Sequence, residues 1–213
     1  GALSANALQL AVMTARLANG RKALNPRLIK SIGGVETPSG AAAADLPFKP
    51  EHMEMVRSAM AAVANDTTGT AYRASQLGLG PVLMAGKTGT AQVRVISRAE
   101  RASGVRTNES LPWRLRDHAL FVAFAPYDAP RYALSMIVQH GGGGAAVAAP
   151  MAREIMRVVL LKDAAIRARI ESPLPMPEAP VPAAGEVEGE APPPPSETIL
   201  PVAAPILSGG PTP

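Results

Sequence analysis

The chain has 213 residues, 47% of them hydrophobic, with a net charge of +4 and no cysteine. That length can hold one domain with a real core. The missing cysteines exclude a disulfide framework, and no apolar run approaches the ~20 residues of a transmembrane helix. Aromatic residues make up only 3% and the arginines are scattered, which argues against a single-stranded nucleic-acid binder built on stacking platforms.

The charge is unevenly placed. Six of the 17 acids lie in residues 171–213, which contain no Lys or Arg. The other eleven therefore stand against all 21 Lys and Arg, so residues 1–170 carry +10. A basic body suits an anionic partner such as nucleic acid, a membrane surface or a carboxylate-rich polymer. The sequence opens on Gly1, already in a helical pattern, as expected for the downstream part of a longer protein.

Residues 4–19 read as a helix. Asn6 and Gln9 can form a capping box. Leu10, Met13 and Leu17 recur at helical spacing beside Leu8 and Val12, and Asn19-Gly20 supplies the stop. Asn25-Pro26 breaks the chain. Residues 27–32 then read as a short strand, and residues 33–47, rich in Gly, Ala and Pro, as a loop. A second helix opens at Pro50, with an acid beside the proline. Met53, Val56, Met60 and Val63 form its expected buried stripe, and His52 is expected in solvent. Residues 65–69 end it.

Residues 82–96 read as one strand with two glycines, Gly86 and Gly89, in its middle. Glycine leaves no side chain to pack, so two of them mark close approach by a ligand or another backbone. A cation and hydroxyls stand between and beside them. Lys87, Thr88 and Thr90 can therefore bind an anionic group lying along the strand.

Residues 97–117 are polar and read as an irregular loop carrying Arg98, Arg101, Arg106, Arg114 and Arg116. Trp113, the only tryptophan, is expected to anchor that loop to the core. A hairpin follows, residues 119–125 and 132–139, its first strand apolar on both faces. His140 precedes four glycines, Gly141 to Gly144, that read as a joint. No Lys-Ser or Lys-Thr follows them as a phosphate loop needs. Residues 145–170 read as one long helix with Ile155, Val158, Val159, Leu161 and Ile166 on its apolar face. Thirteen of the last 43 residues are proline, so residues 171–213 read as a disordered tail.

Four blocks, in this order, carry a resemblance. They are residues 8–20 (Leu-Gln-Leu-Ala-Val-Met-Thr-Ala-Arg-Leu-Ala-Asn-Gly), residues 86–92 (Gly-Lys-Thr-Gly-Thr-Ala-Gln), residues 116–128 (Arg-Asp-His-Ala-Leu-Phe-Val-Ala-Phe-Ala-Pro-Tyr-Asp), and the joint at 141–150. Residues of about 5–165 resemble the C-terminal half of the transpeptidase domain of class B penicillin-binding proteins, elongation type. The resemblance implies an α+β fold, an antiparallel sheet flanked by helices, in agreement with the elements above. It implies a serine D,D-transpeptidase that cross-links peptidoglycan stem peptides, is trapped by β-lactams and needs no cofactor or metal. It also implies a place on the periplasmic face of the bacterial inner membrane, among membrane proteins of the elongation machinery, with no nucleic acid.

Carried onto this sequence, the resemblance gives Lys87 the substrate carboxylate and a part in the site's proton traffic. Thr88 and Thr90 would hydrogen-bond that carboxylate, the Thr90 N–H would serve an oxyanion hole, and Gly89 would let substrate lie against the strand. No Ser-x-x-Lys occurs anywhere in the chain, so the nucleophile is missing. Ser4-Ala5-Asn6 matches the family's Ser-x-Asn in type but reads as a helix cap. The expectation is a fragment carrying one wall of an active site. A related penicillin-recognising protein (a division-type transpeptidase, a carboxypeptidase or a β-lactam sensor) and a non-enzymatic cell-wall binding piece are the alternatives.

Overall fold

The computed structural model describes residues 4–37 and 43–171. Apart from Glu171, the expected tail lies outside them. Helix α1 (Ala7–Ala18) starts as the sequence dictates. Asn6 Oδ1 accepts the Gln9 N–H and Gln9 Oε1 accepts the Asn6 N–H, both at 2.9 Å, a complete capping box. Strands β1 (Ser31–Ile32) and β2 (Val35–Glu36) form a small exposed hairpin. The strand expected over 27–32 is thus only two residues long, and its partner lies in the expected loop. Helix α2 (Pro50–Asn65) has its proline at the first turn, where the missing N–H costs nothing. A single turn, α3 (Tyr72–Ser75), precedes β3 (Ala85–Ala91).

The connection after β3 is not irregular as expected. It holds α4 (Arg98–Ser103) and two short 3-10 turns, Asn108–Ser110 and Trp113–Leu115. Ser97 caps α4 by accepting the Glu100 N–H, a Ser-x-x-Glu pattern that was open to reading in the sequence. Strands β4 (His118–Ala125) and β5 (Tyr132–Val138) form the expected hairpin. A π-helical turn (Gly144–Ala148) then leads into α5 (Ala149–Lys162) and α6 (Ala164–Glu171).

The one long helix expected at the end is therefore two. Asp163 breaks it by accepting the N–H groups of Ala165 and Ile166, acting as a cap where the chain leaves helical geometry. Tyr132 donates its hydroxyl to the same carboxylate at 2.8 Å, which locks the break to the sheet.

The main sheet is antiparallel in the order β3-β4-β5, with Lys87 opposite Val122 and Val122 opposite Ser135. Side chains alternate across it. Ala119, Phe121, Ala123 and Ala125 of β4 pack with Ala148, Ala149, Ala152, Met156 and Leu160, so the π turn and α5 cover one face. Phe124 and half-buried Val122 pack with Ala18 and Met60, so α1 and α2 cover the other. Phe121 and Phe124 are fully buried, each contributing about 1.5–3 kcal/mol of transfer free energy. Much of the rest of the interface between β4 and α5 is alanine, which lets helix and sheet approach closely.

The apolar residues read from helical spacing are only partly the buried ones. On α2, Met53 and Met60 are buried, but Val56 is exposed. On α1, the buried positions are Thr14 and Ala18, while Leu8 and Met13 face outward. On α5, Ile155, Val158 and Leu161 are exposed, and Ala149, Ala152, Met156 and Leu160 face the sheet. Small residues meet the sheet at Ala18 of α1 and at the entry of α5, whereas α2 sets Met60 and α5 sets Met156 and Leu160 against it.

Candidate active-site wall

Strand β3 is shorter than residues 82–96, and it is the outer strand of the sheet. Along it Ala85 and Gly86 are buried, Lys87 is exposed, Thr88 and Gly89 are half-buried, and Thr90 and Ala91 are exposed. At the buried end α2 packs on β3, and the Asn65 side-chain amide donates to the Met84 carbonyl at 2.8 Å. At the other end the edge is open. A free edge turns every second backbone N–H and C=O away from its neighbour, an arrangement that can take an extended peptide as an added strand.

The two glycines have different causes. A Cβ at Gly86 would collide with the Phe121 ring and lie 2.9 Å from the Val122 carbonyl oxygen, so the core dictates glycine there. At Gly89 a Cβ would meet only Leu120 Cβ, at 3.3 Å, a tight contact but not a collision. Packing on that side does not demand glycine. Gly144 packs its backbone directly on Gly89: a Cβ at 144 would sit 2.5 Å from the Gly89 carbonyl oxygen. The joint after β5 and the middle of β3 are thus in backbone-to-backbone contact.

Lys87 donates from Nζ to the Thr88 carbonyl at 2.9 Å and takes part in no ion pair among the described residues. A cation, the hydroxyls of Thr88 and Thr90, and a free backbone edge thus lie along one strand, with Lys87 alternating in face with Thr88 and Thr90. That set can bind a carboxylate. It holds no nucleophile. Ser135 lies in the same cross-strand row as Lys87, its Oγ buried without a partner, but two strands away, about 9–10 Å. Among the described residues no group of His, Cys, Asp or Glu is placed to hold a metal ion. A groove of about 720 Å³ runs between α1 and the start of α2, lined by Leu8, Val12, Met13, Leu17, Phe48 and Met53, with no residue of β3 in it.

The connection from β3 to β4 is fastened by two polar knots. In the first, Arg94 grips Glu100 with two hydrogen bonds, 2.6 and 2.7 Å, and Arg106 N–H adds a third at 3.3 Å. The Arg94 guanidinium, opposed by the cost of removing the carboxylate from water, lowers Glu100 to a pKa of about 2. In the second, Asp117 N–H donates to Asn108 Oδ1 at 2.8 Å, and Val93 N–H donates to Asp117 Oδ1 at 3.4 Å. Gly142 N–H donates to the Asp117 carbonyl at 2.8 Å. Loop residues this far apart in sequence carry no periodic signal, so sequence reasoning missed both knots.

Trp113 does not anchor the loop in the core. It is 58% exposed, and its ring meets that of His140 edge-on, 4.5 Å between centroids. His140 in turn stacks edge-on against His118 at 4.6 Å.

Residues 1–157 match the penicillin-binding protein transpeptidase domain. The peptidoglycan D,D-transpeptidase MrdA of Haemophilus influenzae is 35% identical over 161 residues, 73% of this chain and 24% of that protein. The MrdA of Acinetobacter baumannii is 37% identical over 159 residues, 71% of this chain and 22% of that protein. The chain thus spans about a quarter of the length of these relatives. Among solved structures, Pseudomonas aeruginosa PBP2 in complex with WCK 5153 superposes with a TM-score of 0.60 at 34% identity, over 76% of this chain and 31% of that one. The PBP2 of Helicobacter pylori, in complex with MreC, gives 0.54 at 28% identity, over 73% and 25%. Family match, sequence likeness and superposition agree, and the chain belongs to the penicillin-binding protein transpeptidase family.

Proposed function

We propose that this chain is the substrate-binding wall of an elongation-type peptidoglycan D,D-transpeptidase. The observation that carries it is the open half of the β3 edge, where Lys87, Thr88 and Thr90 stand beside Gly89, a glycine that core packing on its side-chain side does not require. A peptide ending in a carboxylate fits there. Lys87 supplies a compact cation for the carboxylate, and Thr88 and Thr90 supply hydroxyl donors. Gly89 leaves the edge bare for the substrate backbone. The Thr90 N–H serves as one oxyanion donor, stabilising the charge that develops on the attacked carbonyl oxygen. The serine that becomes acylated comes from residues outside this sequence, since no Ser-x-x-Lys is present in it. A β-lactam, whose carboxylate and strained amide imitate the peptide end, occupies the same edge and traps the acyl-enzyme.

The likeness to two MrdA proteins supports the elongation role in cell shape over the division role. The complex of the Helicobacter pylori relative with MreC supports membrane-associated elongation partners, engaged by regions beyond this chain, on the periplasmic face of the inner membrane. No helix among the described residues is long and apolar enough to cross a membrane.

The test is covalent labelling. The complete gene product should take up a fluorescent penicillin and keep it through denaturation, whereas this chain alone should take up none. A stable labelled band from this chain alone overturns the one-wall proposal. No band from the complete product overturns the transpeptidase proposal itself.

A further inference from the structure

His140 is one of only two non-glycine residues with positive φ among those described, at 55°. The other, Arg21, follows the glycine that ends α1, and its side chain is held by Asp45 and the Phe48 carbonyl. His140 stands where β5 gives way to the glycine joint. A left-handed side-chain-bearing residue persists only where its surroundings enforce it, and such positions gather at functional sites.

The enforcing contacts are specific. His140 N–H donates to Nδ1 of His118 at 2.9 Å. His140 Nδ1 lies 2.9 Å from the Arg116 carbonyl. A carbonyl only accepts, so His140 carries its proton on Nδ1, while His118 must leave Nδ1 bare to accept. The two rings meet edge-on, and Trp113 closes the outer side of His140. His118 pairs across the sheet with Ala91, the last residue of β3.

These contacts reach the substrate edge by two routes. Asp117, next to His118, receives Val93 N–H just past the end of β3, and its carbonyl receives Gly142 N–H. Gly144, four residues beyond His140, lies backbone to backbone on Gly89. Thr90 and Ala91 fall between the two grips, on the exposed stretch of an outer strand that has a partner on one side only.

We infer that His118 and His140 are positioning residues: together they form a clasp that ties the β5 joint to the β4 entry and so fixes the backbone of Gly89, Thr90 and Ala91 for acyl transfer. The inference rests on the transpeptidase function proposed above. Neither ring need touch substrate; each acts through the strand. The consequence is kinetic: loosening the clasp degrades the alignment of the Thr90 N–H with the developing oxyanion more than it weakens initial carboxylate capture at Lys87.

The test uses the complete gene product with four variants. His118→Leu removes the acceptor, and His118→Asn restores one, because its Oδ1 can stand near the place of Nδ1. His140→Gly abolishes the ring while easing the left-handed backbone, and His140→Asn keeps a residue that tolerates that backbone. Acylation by a fluorescent penicillin is resolved into a first-order acylation constant and a preceding dissociation constant, with melting measured alongside. His118→Leu and His140→Gly should lower the acylation constant about tenfold to a hundredfold, the scale on which small misplacements act. The dissociation constant should move less than about threefold, and His118→Asn should recover most of the loss. Backbone amide exchange at Ala91, whose N–H faces β4 while that of Thr90 faces the open edge, should quicken in the same two variants. It is read without penicillin, so it tests the clasp even if wild type proves not to be acylated. Unchanged exchange at Ala91 overturns the clasp. So does a loss that follows melting temperature alone, with no rescue by His118→Asn.

Discussion

Lys87→Ala, made in the complete gene product, should separate binding chemistry from folding. The side chain is exposed, sits in an outer strand, and its ammonium touches only the carbonyl of the next residue. Nothing in the core rests on it, so stability should change by no more than about 0.5 kcal/mol, the range for surface sites without special contacts. Substrate binding is different. A charge-assisted hydrogen bond to a carboxylate contributes about 1.5–3 kcal/mol. At about 1.4 kcal/mol per factor of ten, the rate of acylation by a fluorescent penicillin should fall roughly tenfold to a hundredfold or somewhat more. Lys87→Arg should recover part of this, since its planar fork does not fill the place of a compact ammonium. Rates and melting are measured on the same preparations. An unchanged acylation rate in Lys87→Ala would make this lysine a surface charge and remove the central group from the proposed site. An equal loss of rate and of melting temperature would assign it to the fold.

Three further outcomes are expected. Gly144→Ala should destabilise by about 1–3 kcal/mol, because its methyl group must enter the backbone of Gly89 and Leu120; melting within error of wild type would show that the joint yields. Gly89→Ala should melt nearly normally, since its Cβ meets only Leu120 Cβ at 3.3 Å, yet acylate slowly; normal acylation would mean that no substrate backbone lies there. Glu100, held at about 2 against an ordinary 4.5, contributes order to its loop that is fully present above the unfolded pKa and lost as pH falls through about 2. Trp113 fluorescence should report that loss in wild type, and Glu100→Gln should start loosened and lack the transition; identical acid profiles would refute the role of the Arg94–Glu100 pair.

Elements with a local cause were legible in the sequence. The Asn6–Gln9 box, the proline at the start of α2 and the apolar hairpin each needed only neighbours along the chain, and each is present. The residues of the edge were legible too, because Lys87, Thr88, Gly89 and Thr90 are contiguous. What escaped were features decided across the fold. The buried sides of α1 and α5 are decided by the sheet faces they meet, Phe124 and Val122 for α1 and Phe121 with the alanines of β4 for α5, so the large apolar residues of those helices pointed to the wrong side. Trp113 read as an anchor because tryptophan is usually buried, whereas here its neighbour is a histidine held from another strand. The helix break at Asp163 depends on Tyr132, thirty-one residues earlier. His140 owes its backbone conformation to His118, and no spacing rule connects them.

The layer between β4 and α5 has a consequence for mutagenesis. Ala119, Ala123 and Ala125 of the strand face Ala148, Ala149 and Ala152 at the helix entry, all with no measurable exposure. Alanine scanning is blind to such a layer, because the probe residue is already in place. Enlargement is the informative direction. Ala123→Val or Ala152→Val adds methyl groups where there is no void to take them, and overfilled cores lose about 1–3 kcal/mol through displaced backbone. The displacement has few outlets. Pushing α5 outward also pulls on the π turn that feeds it, and Gly144 in that turn bears on Gly89. A methyl group far from any substrate can therefore shift the reactive edge. On the proposed function, changes in β-lactam acylation need not map to residues that contact the β-lactam.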